Sequence, residues 1–174
     1  MDVTDNSWLE SMLALLRAYP RQAAALTALT CFGGNVVGLS LFTPSTPYLI
    51  AIGGLHAASG QSAWPIWFAA AAGAFAGDGV SYGLGRWYRG GISAIWPISR
   101  FPGALDRTQL FFRRWGVWSL LGAKFSGGIR SFVPVAAGVA QMNGPAFAGT
   151  SLIACLIWTA VLLASGGGLA RLFM

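Results

Sequence analysis

Charge is what this chain has least of. Of its 174 residues 9% are charged and five are acidic, against about 25% charged in a soluble domain. With 55% hydrophobic residues and a mean hydropathy of +0.61, that scarcity excludes an ordinary water-soluble domain. It predicts an integral membrane protein of one domain. Cysteine is equally sparse. Cys31 and Cys155 give no metal-binding spacing and no disulfide framework; both sit among apolar residues and read as small packing groups. There is a single histidine, His56, which limits general acid–base chemistry. No nucleophile–base pair and no metal cluster is visible, so neither an enzyme site nor a cofactor is expected. Met1 to Glu10 is polar and acidic, so no cleavable signal peptide is expected. The net charge of +6 does not point to nucleic acid, because the basic residues gather in loops, as cytoplasmic loops of membrane proteins do.

What is present centres on residues 122–144. The stretch is mostly apolar yet carries Lys124 and Arg130, and it is broken by Gly127-Gly128 and by Pro134. Each apolar arm is about half the ~20 residues a spanning helix needs. Two short arms around a polar elbow predict a re-entrant hairpin that enters and leaves the membrane on one side. Non-helical backbone at that depth is tolerated only where protein or a watery cavity covers it, and a cation there usually faces such a cavity. The bland alternative is a kinked membrane helix with two snorkelling cations.

In chain order, residues 7–19 form an amphipathic stretch. Ser7 and Glu10 make a capping box, Trp8, Leu9, Met12, Leu13 and Leu16 share one face, and Pro20 ends it. It reads as an interfacial helix. Residues 22–42 are apolar, Thr43-Pro44-Ser45-Thr46-Pro47 interrupts them, and 48–60 resume as a short arm, a second interrupted hairpin. Residues 63–85 are long enough to span, with Trp64 and Trp67 suited to an interface and Asp78 inside. Arg86, Arg89, Arg100, Arg107, Arg113 and Arg114 then concentrate in a loop, with Asp106 its one acid. Residues 104–115 read there as an amphipathic helix. The basic bias puts the loop in the cytoplasm. The last span is 145–171. The domain thus divides into an interfacial helix (1–21), a first repeat (22–85), a basic loop (86–115) and a second repeat (116–171).

The word repeat rests on a shift of 84 residues. Gly38 then meets Gly122, Gly54 meets Gly138, Gly60 meets Gly144 and Gly83 meets Gly167. In each half an interrupted hairpin precedes one full span. A hairpin plus one crossing inverts the next copy, and paired interrupted segments point to a transport site near the midplane. In this register Thr46 lies opposite Arg130. The expected fold is therefore all-α: an inverted repeat of re-entrant hairpin plus transmembrane helix, preceded by an interfacial helix.

These residues also resemble a known family. Lys124-Phe125-Ser126-Gly127-Gly128-Ile129-Arg130, followed by Pro134, Ala137-Gly138, Met142, Phe147 and Trp158, is similar to the Arg-Phe-x-Pro-x-x-Arg pattern and its sequel in the DedA, or VTT-domain, membrane proteins. Gly77-Asp78, Tyr82, Gly85 and Arg86 resemble a second family motif, and Pro44-Ser45-Thr46 with Gly53 a third; the match covers roughly residues 35–170. Three departures stand out. The family's acid after the first proline is Thr46 here, its first arginine is Lys124, and its second proline is Gly127. With the sequence ending at Met174, the further C-terminal helix that many members carry is not expected here. The resemblance implies movement of lipids across bilayers. For bacterial members it implies undecaprenyl phosphate recycling and membrane-potential homeostasis, through membrane-embedded acids and arginines with proton coupling. The acidic half of that charge mechanism is the part that Thr46 leaves without its residue.

Each candidate residue carries two readings. Arg130 is an anion clamp, its planar fork suited to phosphate, or a tie for helix-end carbonyls. Lys124 supplements it as a point charge or snorkels to the interface. Asp78 is the counter-ion of Arg130 or a proton carrier, since a buried carboxylate must pair or bind a proton. His56 can titrate or sit as a satisfied core residue. Ser45, Thr46 and the half-helix start after Gly128 can bind phosphate oxygens but carry no proton. The functional expectation is a multi-pass protein of the bacterial cytoplasmic membrane that translocates a phosphate-bearing lipid. Arg130, Lys124, Thr46, Ser45 and Gly128 bind it, and Asp78 and His56 couple charge. Lipids are the expected partners, with a homo-oligomer or larger complex compatible. The rivals are a non-transporting accessory subunit and an ion- or proton-coupled carrier of a small anion.

Overall fold

The computed structural model describes residues 18–60, 62–88 and 130–173, with Ala14, Leu121, Gly122 and Lys124 besides. Most of the expected interfacial helix at 7–19, residues 89–115 of the expected basic loop with its amphipathic helix, and the elbow at 126–129, Gly128 included, fall outside these residues, while Arg86 to Tyr88, expected in that loop, end a helix.

Among the described residues there are five α-helices, α1 (Pro20–Asn35), α2 (Ser45–Ser59), α3 (Trp64–Tyr88), α4 (Phe132–Val139) and α5 (Gly144–Phe173), with one 3₁₀ turn at Leu39–Leu41. No strand occurs among the described residues. Pro20 is the first residue of α1, where a missing N–H costs nothing. The first interruption has a local cause. Val36 leaves the helix in an extended conformation, and Gly38 takes φ 94°, a backbone state that a side chain would strain. Gly60, at φ 69°, closes α2 in the left-handed conformation common at helix C-termini. At the end of α4 the Met142 amide donates to Ala137 and the Gln141 amide to Gly138, with Gln141 at φ 54°. That pair of bonds is the Schellman arrangement, and it makes α4 only eight residues long.

Helix α3 is the hub, packed on α1, α4 and α5, while α2 lies on α5. Missing side chains make these approaches close. A Cβ at Gly73 or Gly77 would strike the backbone of α1 at Ala28 and Phe32; Gly85 faces Val135 of α4, and Gly138 faces Tyr82 and Arg86 of α3. On the other side, Gly53 meets Leu163 and Gly166 meets Ile50 across α2 and α5. Small residues at helix crossings are how membrane helices bring their backbones together. Cys31, Leu49, Ile66, Ala70, Ala74, Cys155 and Trp158 form the main core. Both cysteines are fully buried, as their packing role requires. Outside, Leu29, Phe68, Ile153, Ile157 and Val161 stay exposed, a surface suited to lipid rather than water. Within α5, Gly144–Gly168 is 25 residues of mean hydropathy 2.1, the one stretch among the described residues long and apolar enough to cross a membrane. Helix α3 has the length, 25 residues, but carries Asp78 and Arg86.

Candidate functional site

The two cations of residues 122–144, Lys124 and Arg130, find different partners. Lys124 is 4% exposed and places Nζ 2.6 Å from Oδ2 of Asp78 on α3, itself 1% exposed. The same ammonium donates to Asn35 Oδ1 at 2.9 Å. Asn35 is the last residue of α1, and it reaches this point because Gly77, next to Asp78, leaves room for its Cβ. Its amide donates back to Cys31 O, which fixes the oxygen toward Lys124. From α5, Ser151 Oγ donates to Asp78 Oδ2 at 2.6 Å. Cys155 Sγ, one helical turn on, lies 3.4 Å from the same oxygen. Asp78 Oδ1 is buried and has no hydrogen-bond partner among the described residues. Ser81 completes this region: it donates to Asn35 O and accepts from the Val37 amide, satisfying the open end of α1.

Arg130 has neutral partners. Its Nη1 donates to Thr46 Oγ1 at 2.7 Å and its Nη2 to Ser45 Oγ at 2.8 Å. Both acceptors sit at the start of α2. The guanidinium carbon stands 4.7 Å from the centre of the Trp158 ring, a cation–π distance. Among the described residues no carboxylate pairs with Arg130. It is half-buried, so its charge is partly desolvated and not neutralised by an acid.

These contacts correct one expectation and decide another. Asp78 is not the counter-ion of Arg130; Lys124 holds that place, because α1, α3 and α5 converge on Lys124 while Arg130 lies at the α2 end. Lys124 does not snorkel outward but ends on a buried acid. The register that set Thr46 opposite Arg130 matches the hydrogen bond between them. His56 is not brought to this cluster. It lies ten residues beyond Thr46 on α2, about 15 Å at 1.5 Å per residue, and its Nε2 meets Ser62 O at 3.0 Å.

Asn35, Ser81 and Ser151 escaped the sequence reading as site residues, and Cys155 was read there only as a packing group. Their signal was present: each is a small polar or thiol side chain inside an apolar run, where a polar group needs a partner. The Tyr82–Arg86 motif proves structural. Tyr82 Oη donates to Met142 O at 2.5 Å and accepts from Arg86 at 2.9 Å, and its ring stacks on Phe147 at 4.2 Å. Together they pin the end of α4 to α3.

The fold and this interior define a class: a helical membrane protein with a neutralised ion pair and a second cation that meets no acid among the described residues. Residues 43–167 match the VTT domain, and the chain belongs to that family, the DedA membrane proteins. It is 25% identical over 150 residues to the inner membrane protein YabI of Escherichia coli, covering 86% of this chain and 58% of that protein. It is 21% identical over 156 residues to the membrane protein BU139 of Buchnera aphidicola, covering 90% and 60%. With the membrane protein ML0287 of Mycobacterium leprae it shares 29% over 119 residues, 63% and 50% of the two chains. The chain thus spans 58–60% of the length of the first two relatives. No solved structure matches it.

Proposed function

We propose that this is a multi-pass protein of the bacterial cytoplasmic membrane that moves a phosphate-bearing lipid across the bilayer, with Arg130 as the headgroup anchor. The observation that carries the reading is the division of labour between the cations. Lys124 is neutralised by Asp78, while Arg130 rests on two hydroxyls and an indole. A guanidinium held by exchangeable neutral partners can turn its fork to an arriving phosphate without breaking an ion pair. Ser45 and Thr46 remain beside it as further donors. Lys124 and Asp78 then serve as a buried charge store, with Asp78 as the group that can take a proton. The proposed architecture is two opposed re-entrant hairpins in an inverted repeat. Support comes from the crossed packing of the halves, α2 on α5 and α4 on α3, and from the Thr46–Arg130 contact. The inner membrane name of the Escherichia coli relative supports the location.

The test is lipid-phosphate flipping by the purified chain in vesicles. Arg130→Lys keeps the charge and loses the fork, so flipping should slow; Arg130→Ala should cost one to two decades, since a charged hydrogen bond contributes ~1.5–3 kcal/mol. Wild-type flipping by a well-folded Arg130→Ala protein would remove the anchor. The second reading, an accessory subunit in a larger membrane complex, draws on Thr46, whose hydroxyl cannot carry a proton. A partner of fixed stoichiometry after purification in mild detergent, with no flipping by the isolated chain, would favour it.

A further inference from the structure

The two cations differ in reach as well as in partners. Arg130 and Thr46 are half-buried, and Pro44 and Pro47 beside them are exposed, so an anion can approach the guanidinium from outside. Ser45 is fully buried and closes the far side. Lys124 and Asp78, 4% and 1% exposed, act on such an anion through their fields and not by contact. Asp78 lies within electrostatic reach of Arg130, and Lys124 and Arg130 both act on Cys31 of α1, so the three charges share one neighbourhood. The other ionisable groups that face it are the buried thiols Cys31 and, against Asp78, Cys155 of α5. Tyr48 of α2 bonds Thr27 through its hydroxyl, His56 is far along the same helix, and α4 carries no ionisable side chain. Among the described residues the sum is therefore one positive charge. The start of α2 adds little to it. Helix N-termini attract anions through unsatisfied N–H groups. Here Ser45 gives its amide to Thr43 O and Tyr48 to Pro44 O, and Pro47 has no N–H, which leaves the amide of Thr46.

We infer that this site takes a phosphate ester with a single negative charge, a lipid phosphodiester or a singly protonated monoester, and discriminates against the doubly charged monoester. The inference rests on the reading of Arg130 as headgroup anchor. A monoanion on Arg130 leaves the interior neutral. A dianion leaves one negative charge uncompensated where desolvation makes it costly, and Asp78 adds to the repulsion. Lys124 cannot answer the second charge while Asp78 holds it at 2.6 Å. An unpaired cluster of cations would do the opposite, because Coulomb attraction grows with the charge of the ligand. The Lys124–Asp78 pair thus sets which charge state Arg130 accepts without touching the ligand.

The test is equilibrium binding of radiolabelled lipids with equal tails to the full chain, purified in mild detergent and stripped of lipid. Phosphatidylmethanol is the diester, phosphatidic acid the monoester and diacylglycerol the phosphate-free control. Binding is read at about pH 5.5 and about pH 7.5, on either side of a monoester's second ionisation near pH ~6. Phosphatidylmethanol should bind equally at both, and about tenfold or more tighter than diacylglycerol. Phosphatidic acid should weaken roughly fivefold or more as pH rises, toward the ~25-fold limit set by its loss of the monoanion. Asp78→Asn frees the charge of Lys124, so that fall should shrink to about twofold or less; adding Lys124→Met should bring it back. Melting curves accompany the variants, and the wild-type comparison decides the proposal by itself if a variant does not fold. Phosphatidic acid bound as tightly or tighter at the higher pH, with Arg130→Ala still weakening it, would overturn the single-charge rule and leave the anchor standing. A fall that persists in full in folded Asp78→Asn would overturn the role of the ion pair. Binding of all three lipids unchanged in folded Arg130→Ala would remove the anchor itself. Tail-free dimethyl phosphate competing as well as phosphatidylmethanol would overturn a lipid as the source of the phosphate.

Discussion

Removing the ammonium of Lys124 should destabilise the protein far more than its count of contacts suggests. Lys124→Met keeps an unbranched stem of similar size and deletes the charge. Asp78, 1% exposed, would keep Ser151 and the weak Cys155 contact but lose its counter-ion. Breaking a buried pair from one side costs about 3–5 kcal/mol, because the remaining charge is buried without compensation. The surviving Ser151 donor puts the estimate at the lower end. At roughly 2–4 °C per kcal/mol for a chain of this size, melting should fall by about 6–12 °C. Asp78→Asn alone should also destabilise, less severely, since Lys124 keeps Asn35 Oδ1. The double variant, Lys124→Met with Asp78→Asn, buries no net charge and should regain most of the loss. The cycle would then show a coupling of at least ~2 kcal/mol, well above the scatter expected of independent sites. Melting of the four proteins in one detergent reads this out. The assignment fails if Lys124→Met melts with the wild type, or if Asp78→Asn rescues Arg130→Ala instead of Lys124→Met.

Two more outcomes follow from the packing. Gly83 and Gly85 are both in α3, yet a Cβ at Gly83 meets nothing within 4 Å, whereas one at Gly85 runs into the Val135 backbone. Gly83→Ala should therefore stabilise by up to ~1 kcal/mol through helix propensity, and Gly85→Ala should destabilise; melting in the same detergent checks both, and equal shifts would contradict the α3–α4 crossing. Cysteines replacing Thr46 and Arg130, in a background lacking Cys31 and Cys155, should join through a short bifunctional reagent, because the native side chains hydrogen-bond across 84 residues of sequence. Efficient labelling of the two positions from opposite bulk phases, without crosslinking, would count against opposed hairpins.

The helices were largely legible in advance. The span expected at 63–85 is Trp64–Tyr88, that at 145–171 is Gly144–Phe173, and the arm expected at 48–60 is Ser45–Ser59. Glycine and proline mark those boundaries through local backbone sterics, which neighbours in sequence decide. The Thr46–Arg130 contact was legible for a different reason. It links corresponding points of two similar halves, so a shift of the chain against itself finds it. Pro20 was half legible: it was read as a stop, and it is also the first residue of the helix that follows.

Composition alone determined that this is a membrane protein, because so few charges cannot cover a surface in water. It also determined that Lys124, Asp78 and Arg130 would need partners inside. Which partner each would take was decided by tertiary structure. Lys124 and Arg130 are six residues apart and both cationic, and nothing local says which of them faces Asp78. The choice follows from how α1, α3 and α5 meet. Gly77 admits Asn35, one turn of α5 aligns Ser151 with Cys155, and those groups gather around the Lys124–Asp78 pair over separations of 46 to 89 residues. Arg130 is left to the hydroxyls at the start of α2. Charge is written in the sequence, but its neutralisation depends on distances of a few ångströms, and only the packed helices set those.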